Sequence, residues 1–161
     1  MPRREHKYQV TVRWTGNRGQ GTAGYAAYSR DHEITAARSE KASILGSSDP
    51  AFRGDPARWN PEELFIAAVS ACHKLWYLHL CSAAGVVITE YIDRASGVMA
   101  ESAGGAGQFT SVTLQPEVMV SRSTDLEKAR ALHHDAHEKC FIANSIKTPV
   151  TVEAVFRALD A

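Results

Sequence analysis

The sequence has no excess charge of either sign, since eighteen Lys and Arg side chains balance eighteen Asp and Glu side chains. Nucleic-acid binding usually needs a surplus of cations that neutralise phosphates, so a nucleic-acid partner is not expected. The sequence also lacks a glycine-rich phosphate-binding loop, an internal repeat and a low-complexity tract. These absences argue against the common nucleotide-binding and repeat architectures.

Cysteine is scarce: there are three, an odd number that argues against a structural disulfide framework. The amino-terminal MPRREHKYQV is basic but lacks the apolar core and cleavage site of a secretory signal. The apolar run Leu64–Cys72 is flanked by charged side chains and is too short to cross a bilayer. We therefore expect a cytoplasmic protein with reduced thiols and no membrane partner.

The length of 161 residues and the 44% hydrophobic content suit one domain, which we expect to span residues 1–161. Alternating apolar residues over Tyr8–Trp14, a glycine-rich turn and the following TAGYAAYS predict a half-buried hairpin. Arg38–Arg58, with two Asp-Pro pairs, is predicted to form a long loop. Long loops in compact domains are often functional.

Two helices are predicted. In the first, Asn60–Gly85, Asn60 caps the start, Pro61 suits the first turn and Gly85 ends the helix. This helix is apolar nearly all round, so it must be covered by a sheet and by a second helix or subunit. The second, TDLEKARALHHDAHEKCFIANSI, is predicted from the capping-box spacing of Thr124 and Glu127.

The remaining segments predict strands. VVITEYIDRASGVMAE and FTSVTLQPEVMVS, separated by the glycine-rich AGGAG, are candidates for antiparallel pairing, and Thr148–Leu159 predicts one closing strand. Together these elements predict the α+β class with an antiparallel sheet.

The cysteines lie on the predicted helices. Cys72 is central in the first, and Cys140 is at the far end of the second, so the two thiols could meet if the helices pack together. Cys81 faces the opposite side of the first helix and is expected in the core. Packing alone would also account for Cys72, because free cysteine is among the most buried residue types. A loop cation such as Arg53, oriented by Glu62, would instead favour a reactive thiolate.

Two motifs together resemble the OsmC/Ohr family of thiol peroxidases. The first is NPEEL followed by an alanine-rich helix with a central cysteine, and the second is a cysteine in C-x-x-x-N-S near the chain end. The resemblance runs from Tyr8 to about Leu159. It implies an intertwined homodimer in which antiparallel sheets wrap two central helices, with active sites at the subunit interface.

The resemblance also implies site residues. Cys72 corresponds to the peroxidatic cysteine, Cys140 to the resolving cysteine, Glu62 to the catalytic glutamate and Arg53 to the loop arginine, with Arg18 as the competing arginine. The implied activity is thiol-dependent reduction of organic hydroperoxides, with an external dithiol, of the lipoyl type or similar, as reductant. Neither a metal nor an organic cofactor is implied.

The neighbours of the thiols refine this expectation. An apolar stripe around Cys72 is expected to form a substrate pocket that favours alkyl hydroperoxides, and its residues are Phe65, Val69 and Trp76. His73 and Phe141 directly follow the two cysteines and depart from the usual family pattern, which indicates a distinct OsmC-like branch.

Two alternatives remain open. On one helix face, His133, His137 and Cys140 have the spacing of metal ligands, although no fourth ligand is evident. The other alternative is a non-enzymatic module that keeps the fold and binds a small molecule. A Cys–His hydrolase is disfavoured, because Cys72 and His73 are adjacent and do not face each other on a helix.

Overall fold

The structure is a computed structural model that describes residues 4–37 and 40–158. The chain forms two compact units, Met1–Leu64 and Phe65–Ala161. The boundary between them falls in the first turns of the long helix, which begins at Pro61. The expectation of a single domain over residues 1–161 stays a prediction.

The first unit is built on a three-stranded antiparallel sheet, in the order β1 (Val10–Trp14), β2 (His32–Ala36) and β3 (Ile44–Gly46). The first strand is confirmed within Tyr8–Trp14, but its predicted half-burial is wrong, because all five of its residues are exposed. The apolar side chains of Val10 and Val12 are therefore exposed among the described residues.

The predicted second strand, TAGYAAYS, is wrong. Residues 21–28 form turns and bends, and β1 pairs with His32–Ala36 instead, with Trp14 opposite His32. The glycine-rich loop is closed by Asn17, whose Oδ1 accepts hydrogen bonds from the N–H groups of Gly19 and Gly21 at 2.9 and 3.0 Å. The strand forms where β-branched Ile34 and Thr35 occur, which fits strand preference better than a run of alanine and glycine does.

The predicted loop Arg38–Arg58 is largely irregular, although it contains β3 and a short 3-10 helix, Pro50–Phe52; Arg38 itself lies outside the described residues. Arg53 ends the 3-10 helix with φ 63°, in the left-handed region that is uncommon for residues other than glycine. Gly54 follows, and a Cβ atom there would collide with the backbone oxygen of Ser48. The loop therefore turns sharply at Arg53.

The first helix, α1 (Pro61–Ala83), forms as predicted. Asn60 Oδ1 accepts from the N–H of Glu63 at 2.8 Å, while the Asn60 N–H donates to Glu63 Oε2 at 3.2 Å, which completes a capping box. At the other end Gly85 has φ 71°, and the N–H of Val86 donates to Cys81 O at 2.9 Å. Both termini of the helix are thus satisfied by the residues that the sequence indicated.

By length and composition alone, α1 is the one helix of the described residues that could cross a membrane. The core helix of a globular protein passes the same test. Here the helix buries Val69, His73, Tyr77 and Cys81 inside the second unit. The absence of a membrane partner stays a prediction.

The second unit contains two three-stranded sheets. One has the order β4 (Ile88–Asp93), β7 (Pro116–Val120), β9 (Val155–Ala158), and the other has the order β5 (Ser96–Glu101), β6 (Gly107–Leu114), β8 (Val150–Val152). The predicted antiparallel pairing of the central segments is confirmed for β4 with β7 and for β5 with β6.

The closing segment differs from the prediction of one strand over Thr148–Leu159, of which Leu159 lies outside the described residues. It divides into β8 and β9, each of which adds in parallel to a different sheet. The division follows the partner strands, because β6 and β7 are separated by Gln115 alone. Between β8 and β9 the N–H of Glu153 donates to Leu114 O at 2.8 Å, so the last segment follows the same crossing from one sheet to the other.

The second helix, α2, runs over Leu126–Lys139 and is shorter than predicted at both ends. Its N-cap is Asp125, whose carboxylate accepts from the N–H of Lys128 at 3.1 Å, and not Thr124. Thr124 instead donates its hydroxyl to Val87 O at 3.3 Å. Cys140 is the C-cap with extended backbone, so it stands at the end of the helix rather than within it.

Candidate functional site

The helices α1 and α2 meet along their buried stripes. The stripe of α1 contains His73 and Tyr77, and that of α2 contains Ala129 and His133. The Tyr77 hydroxyl donates to Ala129 O at 3.0 Å. Because later residues of α1 contact earlier residues of α2, the two helices run antiparallel where they meet.

At one end of this contact lie two thiols. Cys72 is half-buried and Cys140 is buried, with 1% of its surface exposed. The two side chains lie close enough to act as hydrogen-bond partners, and neither forms a disulfide. The structure therefore brings together the two cysteines that the sequence paired.

Burial, assisted by the contact with Cys72, raises the pKa of the Cys140 thiol to about 11. Backbone N–H groups of the following turn oppose this effect, including that of Ala143, which donates to Cys140 Sγ at 3.4 Å. Cys140 is consequently protonated near neutral pH.

The segment after Cys140 holds its own conformation. Asn144 Nδ2 donates to Glu138 O at 2.8 Å, and Ser145 Oγ donates to Phe141 O at 2.6 Å. The N–H of Asn144 donates to Cys140 O at 3.0 Å. The asparagine and serine of C-x-x-x-N-S thus fix the turn that carries the buried thiol.

Beside the thiols lies a buried pair of imidazoles that the sequence analysis did not identify. His73 Nε2 and His133 Nδ1 are 2.9 Å apart, and the two rings are nearly parallel. The ring of His133 also stacks on Tyr77 with centroids 3.7 Å apart. The sequence feature that could have placed His73 on a buried helix face is the four-residue spacing of Val69, His73, Tyr77 and Cys81.

Burial lowers the pKa of His73 to about 4 and that of His133 to about 3. Proximity to His137 contributes to the lowered pKa of His73, while Asp93 opposes it. Both rings are therefore neutral near neutral pH, and one proton lies in the hydrogen bond between them.

The predicted metal-ligand face is not supported. Across residues 4–37 and 40–158, no group of three or more His, Cys, Asp or Glu side chains is arranged to hold a metal ion. His133 is committed to His73, and Cys140 points to Cys72 and the N–H of Ala143. These two predicted ligands thus have other partners in the core.

Cys81 is confirmed as a core residue. It is 1% exposed, it shares a hydrogen bond with Tyr77, and burial raises the pKa of its thiol.

The predicted pocket residues lie in different surroundings. Val69 is fully buried with Val112 and Leu114, so packing accounts for it. Phe65 packs on the same cluster and stacks on Phe109, whereas Trp76 packs on the other cluster and makes an edge contact with Phe141. Their role in binding a substrate stays a prediction.

The predicted arginine and glutamate belong to the first unit. Arg53 is exposed, and its guanidinium lies 5.6 Å from the centroid of the Tyr25 ring. Among the described residues no ion pair joins Arg53 to Glu62. Strained backbone such as that of Arg53 is frequent at functional sites, and the roles of both residues toward the thiols stay predictions.

A third arginine, which the sequence analysis did not weigh, is held more firmly. Arg30 Cζ lies 4.4 Å from the ring of Tyr25 and 4.2 Å from that of Tyr28, and Nη1 donates to Tyr28 O at 2.9 Å. Its Nη2 is buried, with no hydrogen-bond partner within the described part of the chain. Arg30 therefore joins Arg18 and Arg53 as a candidate for binding an anionic group.

Taken together, an α+β fold and two adjoining thiols, one central in α1 and one at the end of α2, define the class of this protein as a two-cysteine thiol protein. The model of the OsmC-like protein family matches residues 54–155, and the chain belongs to that family. The match includes Glu62, Cys72 and Cys140 and begins one residue after Arg53.

Solved structures agree with this assignment. An OsmC-like protein of unknown function from Vibrio cholerae is 31% identical, with a TM-score of 0.82 over 94% of this chain and 100% of that chain. An organic hydroperoxide resistance protein from Elizabethkingia anophelis is 16% identical, with a TM-score of 0.69 over 98% of this chain and 100% of that one.

The organic hydroperoxide resistance protein OhrB of Bacillus subtilis is 21% identical, with a TM-score of 0.62 over 94% of this chain and 98% of that one. At such identities, the two hydroperoxide resistance proteins show the shared fold alone. No curated protein matches the sequence significantly.

The imidazole pair predicts how stability depends on pH. Both histidines have folded-state pKa values below the ordinary value of 6.5. As pH falls below that value, the unfolded chain therefore binds more protons than the folded chain does. Their contribution to the free energy of unfolding is complete above about pH 6.5. It is lost as pH falls toward about 4 for His73 and toward about 3 for His133, at up to about 1.4 kcal/mol per pH unit for each ring. Urea unfolding at a fixed protein concentration measures this slope.

In the same experiment His133→Phe keeps a ring on Tyr77 but removes one titrating group, so its slope should be smaller. His134→Gln, on the exposed side of α2, should leave the slope unchanged. Equal slopes for wild type and His133→Phe would contradict the assignment.

Proposed function

We propose that this protein reduces organic hydroperoxides to alcohols with its two cysteines, an activity of the peroxiredoxin type that serves in defence against oxidative stress. The observation that carries the proposal is the contact between the half-buried Cys72 and the buried, protonated Cys140. Membership of the OsmC-like family and the fold shared with organic hydroperoxide resistance proteins support it.

In the first step the thiolate of Cys72 attacks the terminal oxygen of the hydroperoxide. The O–O bond breaks, the sulfur takes up the terminal OH as a sulfenic acid, and the remaining alkoxide takes a proton and leaves as an alcohol. The more accessible of the two thiols suits this role, because peroxide must reach it.

In the second step the Cys140 sulfur attacks the sulfenic acid of Cys72. An S–S bond forms, the S–O bond breaks, and the hydroxyl leaves as water with the thiol proton of Cys140. The high pKa of Cys140 keeps this thiol protonated and unreactive toward peroxide itself until its neighbour has been oxidised.

An external dithiol, of the lipoyl type or similar, would then reduce the disulfide and complete the cycle. Since thiols supply both electrons, the cycle requires no organic or metal cofactor. The cytoplasm is the compartment in which such a dithiol and three unpaired cysteines are kept reduced, and we propose this location.

A cation near the reacting sulfur would stabilise the thiolate and the charge that develops on the leaving oxygen. Arg53, oriented by Glu62, is our candidate, and its left-handed backbone supports a specialised role. Phe65 and Trp76, which share a helix stripe with Cys72, would favour an alkyl hydroperoxide over hydrogen peroxide.

The proposal includes a homodimer. The outer side of α1 carries Ala67, Ala71 and Leu75, and Leu75 is 63% exposed. Val10 and Val12 on β1 and Phe141 beside the thiols are exposed as well. Apolar surface of this extent on a folded chain favours cover by a second copy.

The central experiment treats reduced protein with one equivalent of an alkyl hydroperoxide. We expect rapid loss of peroxide and a Cys72–Cys140 disulfide, detected as a linked peptide by mass spectrometry. Cys72→Ser should abolish the fast reaction, because it removes the attacking sulfur. Cys140→Ser should react once and then accumulate sulfenic and sulfinic acid.

The matched control is Cys81→Ser, since Cys81 lies in the core away from the reaction. Turnover is followed with a lipoyl-type dithiol and then with a monothiol, and the dithiol should be the better reductant. An unreactive Cys72 in folded protein, or a disulfide that contains Cys81, would refute the proposal and leave a non-enzymatic OsmC-like module.

A second prediction separates the arginines. Arg53→Ala should slow peroxide reduction by about 10² or more if it removes the main charge-stabilising donor, and Arg18→Ala should have little effect. Arg30→Ala is measured alongside, because its buried Nη2 has no partner among the described residues. Equal small effects of Arg53→Ala and Arg18→Ala would show that the active-site arginine has been misassigned.

A third prediction concerns assembly. At micromolar concentration, light scattering should give the mass of two chains of 17.6 kDa each. Leu75→Glu should weaken the dimer, because it places a charge on the exposed apolar face of α1. A wild-type monomer at that concentration would contradict this part of the proposal.

A further inference from the structure

We propose that the hydrogen bond between His73 and His133 holds Cys140 against Cys72, which makes the two imidazoles positioning residues for disulfide formation. The inference deepens the proposed function and rests on it for its biological use. The positioning itself involves only the two helices and the two thiols.

The polar contacts between the two helices follow a definite order along their length. From the far end of the helix contact toward the thiols, Lys128 Nζ donates to Ala84 O at 2.7 Å, and the Tyr77 hydroxyl donates to Ala129 O. The imidazole pair follows, and next to it come Cys72 and Cys140. Of these polar contacts between α1 and α2, the one nearest to the thiols is therefore the imidazole pair.

The pair also has directional specificity that packing lacks. Each neutral imidazole has one donor and one acceptor nitrogen, so one ring donates to the other at a single relative position of the helices. Outside that bond, His73 Nδ1 and His133 Nε2 are buried without partners within the described residues. A slide of α2 along α1 would leave two further buried nitrogens unpaired, at a cost that apolar packing would not impose.

The bond requires an acceptor nitrogen on at least one neutral ring, and the surroundings keep both rings neutral. His73 and His133 are 1% and 6% exposed, and burial lowers the pKa of each. Two imidazolium rings would have no acceptor nitrogen and would repel each other. The neutral pair is thus a stable link at the pH of a cell.

Disulfide formation is sensitive to such a link. The bond requires Cβ atoms about 3.5 to 4.5 Å apart and a restricted dihedral angle, so a helix shift of about 1 Å matters. Cys140 follows α2 directly as its C-cap, and its position therefore depends on where α2 is held. The imidazole bond would raise the effective concentration of one thiol for the other.

The test compares two substitutions at one position. His133→Asn places an amide where Nδ1 lay and can keep the hydrogen bond to His73. His133→Phe keeps the flat ring on Tyr77 but removes the bond. The stability of the Cys72–Cys140 disulfide is then measured in a glutathione redox buffer, which gives the effective concentration of the thiol pair without any peroxide.

We expect His133→Phe to lower this effective concentration by about tenfold or more and His133→Asn to retain it within about threefold of wild type. A role in packing alone predicts the opposite order, because phenylalanine conserves the ring. Equal losses in the two variants, or retention in His133→Phe, would overturn the proposal. His134→Asn, on the exposed side of α2, is the control.

If variants at position 133 do not fold, the reciprocal pair His73→Gln and His73→Phe decides, because glutamine can place its amide near the position of Nε2. The redox measurement is also independent of the enzymatic proposal. Loss of peroxide reactivity in wild type would refute the enzyme and leave this inference standing, whereas unchanged disulfide stability in His133→Phe would refute the inference alone.

Discussion

The antiparallel contact between α1 and α2 is the constraint on which the candidate site depends. Neither helix carries both thiols. The proposed disulfide chemistry is therefore possible only where Cys72 on α1 meets Cys140 at the end of α2. The contact is polar at intervals, through Lys128, Tyr77 and the imidazole pair, and apolar between them. Hydrogen bonds of this kind select one arrangement from the many that apolar side chains would tolerate.

Burial suppresses charge on the paired imidazoles and on the Cys140 thiol alike. It keeps His73 and His133 neutral, which allows them to share a hydrogen bond, and it keeps Cys140 protonated. A single low-dielectric environment thus suppresses charge on both the structural and the chemical groups. Cys72, which is half-buried, lies at the edge of this environment.

The sequence predicted elements with strong local signals. The cap Asn60 and the terminator Gly85 follow from short motifs, and the pairing of Cys72 with Cys140 follows from the resemblance to the OsmC/Ohr family. Strand predictions were wrong where the strand depends on a partner that is distant in the sequence. TAGYAAYS alternates like a strand but lacks a partner, and the division of Thr148–Leu159 between two sheets is set by β6 and β7.

The histidines show a similar limit. His133 and His137 have the spacing of metal ligands, and only the position of α2 against α1 shows that His133 faces another imidazole. The sequence analysis related His73 only to its neighbour Cys72. The structural partners of His73 are Tyr77 and His133, which are four and sixty residues away in the chain. Spacing on one helix defines a face, but it does not define what that face meets.

The short link between β6 and β7 has a consequence for how this chain can diverge. Gln115 alone joins a strand of one sheet to a strand of the other, so an insertion there would reverse the inward and outward sides of β7. A Cβ atom at Gly104 or Gly105 would meet no atom within 4 Å, so this turn leaves room for added side chains. Length variation among descendants of this sequence should therefore collect at the glycine turn and be rare at the crossing between the sheets.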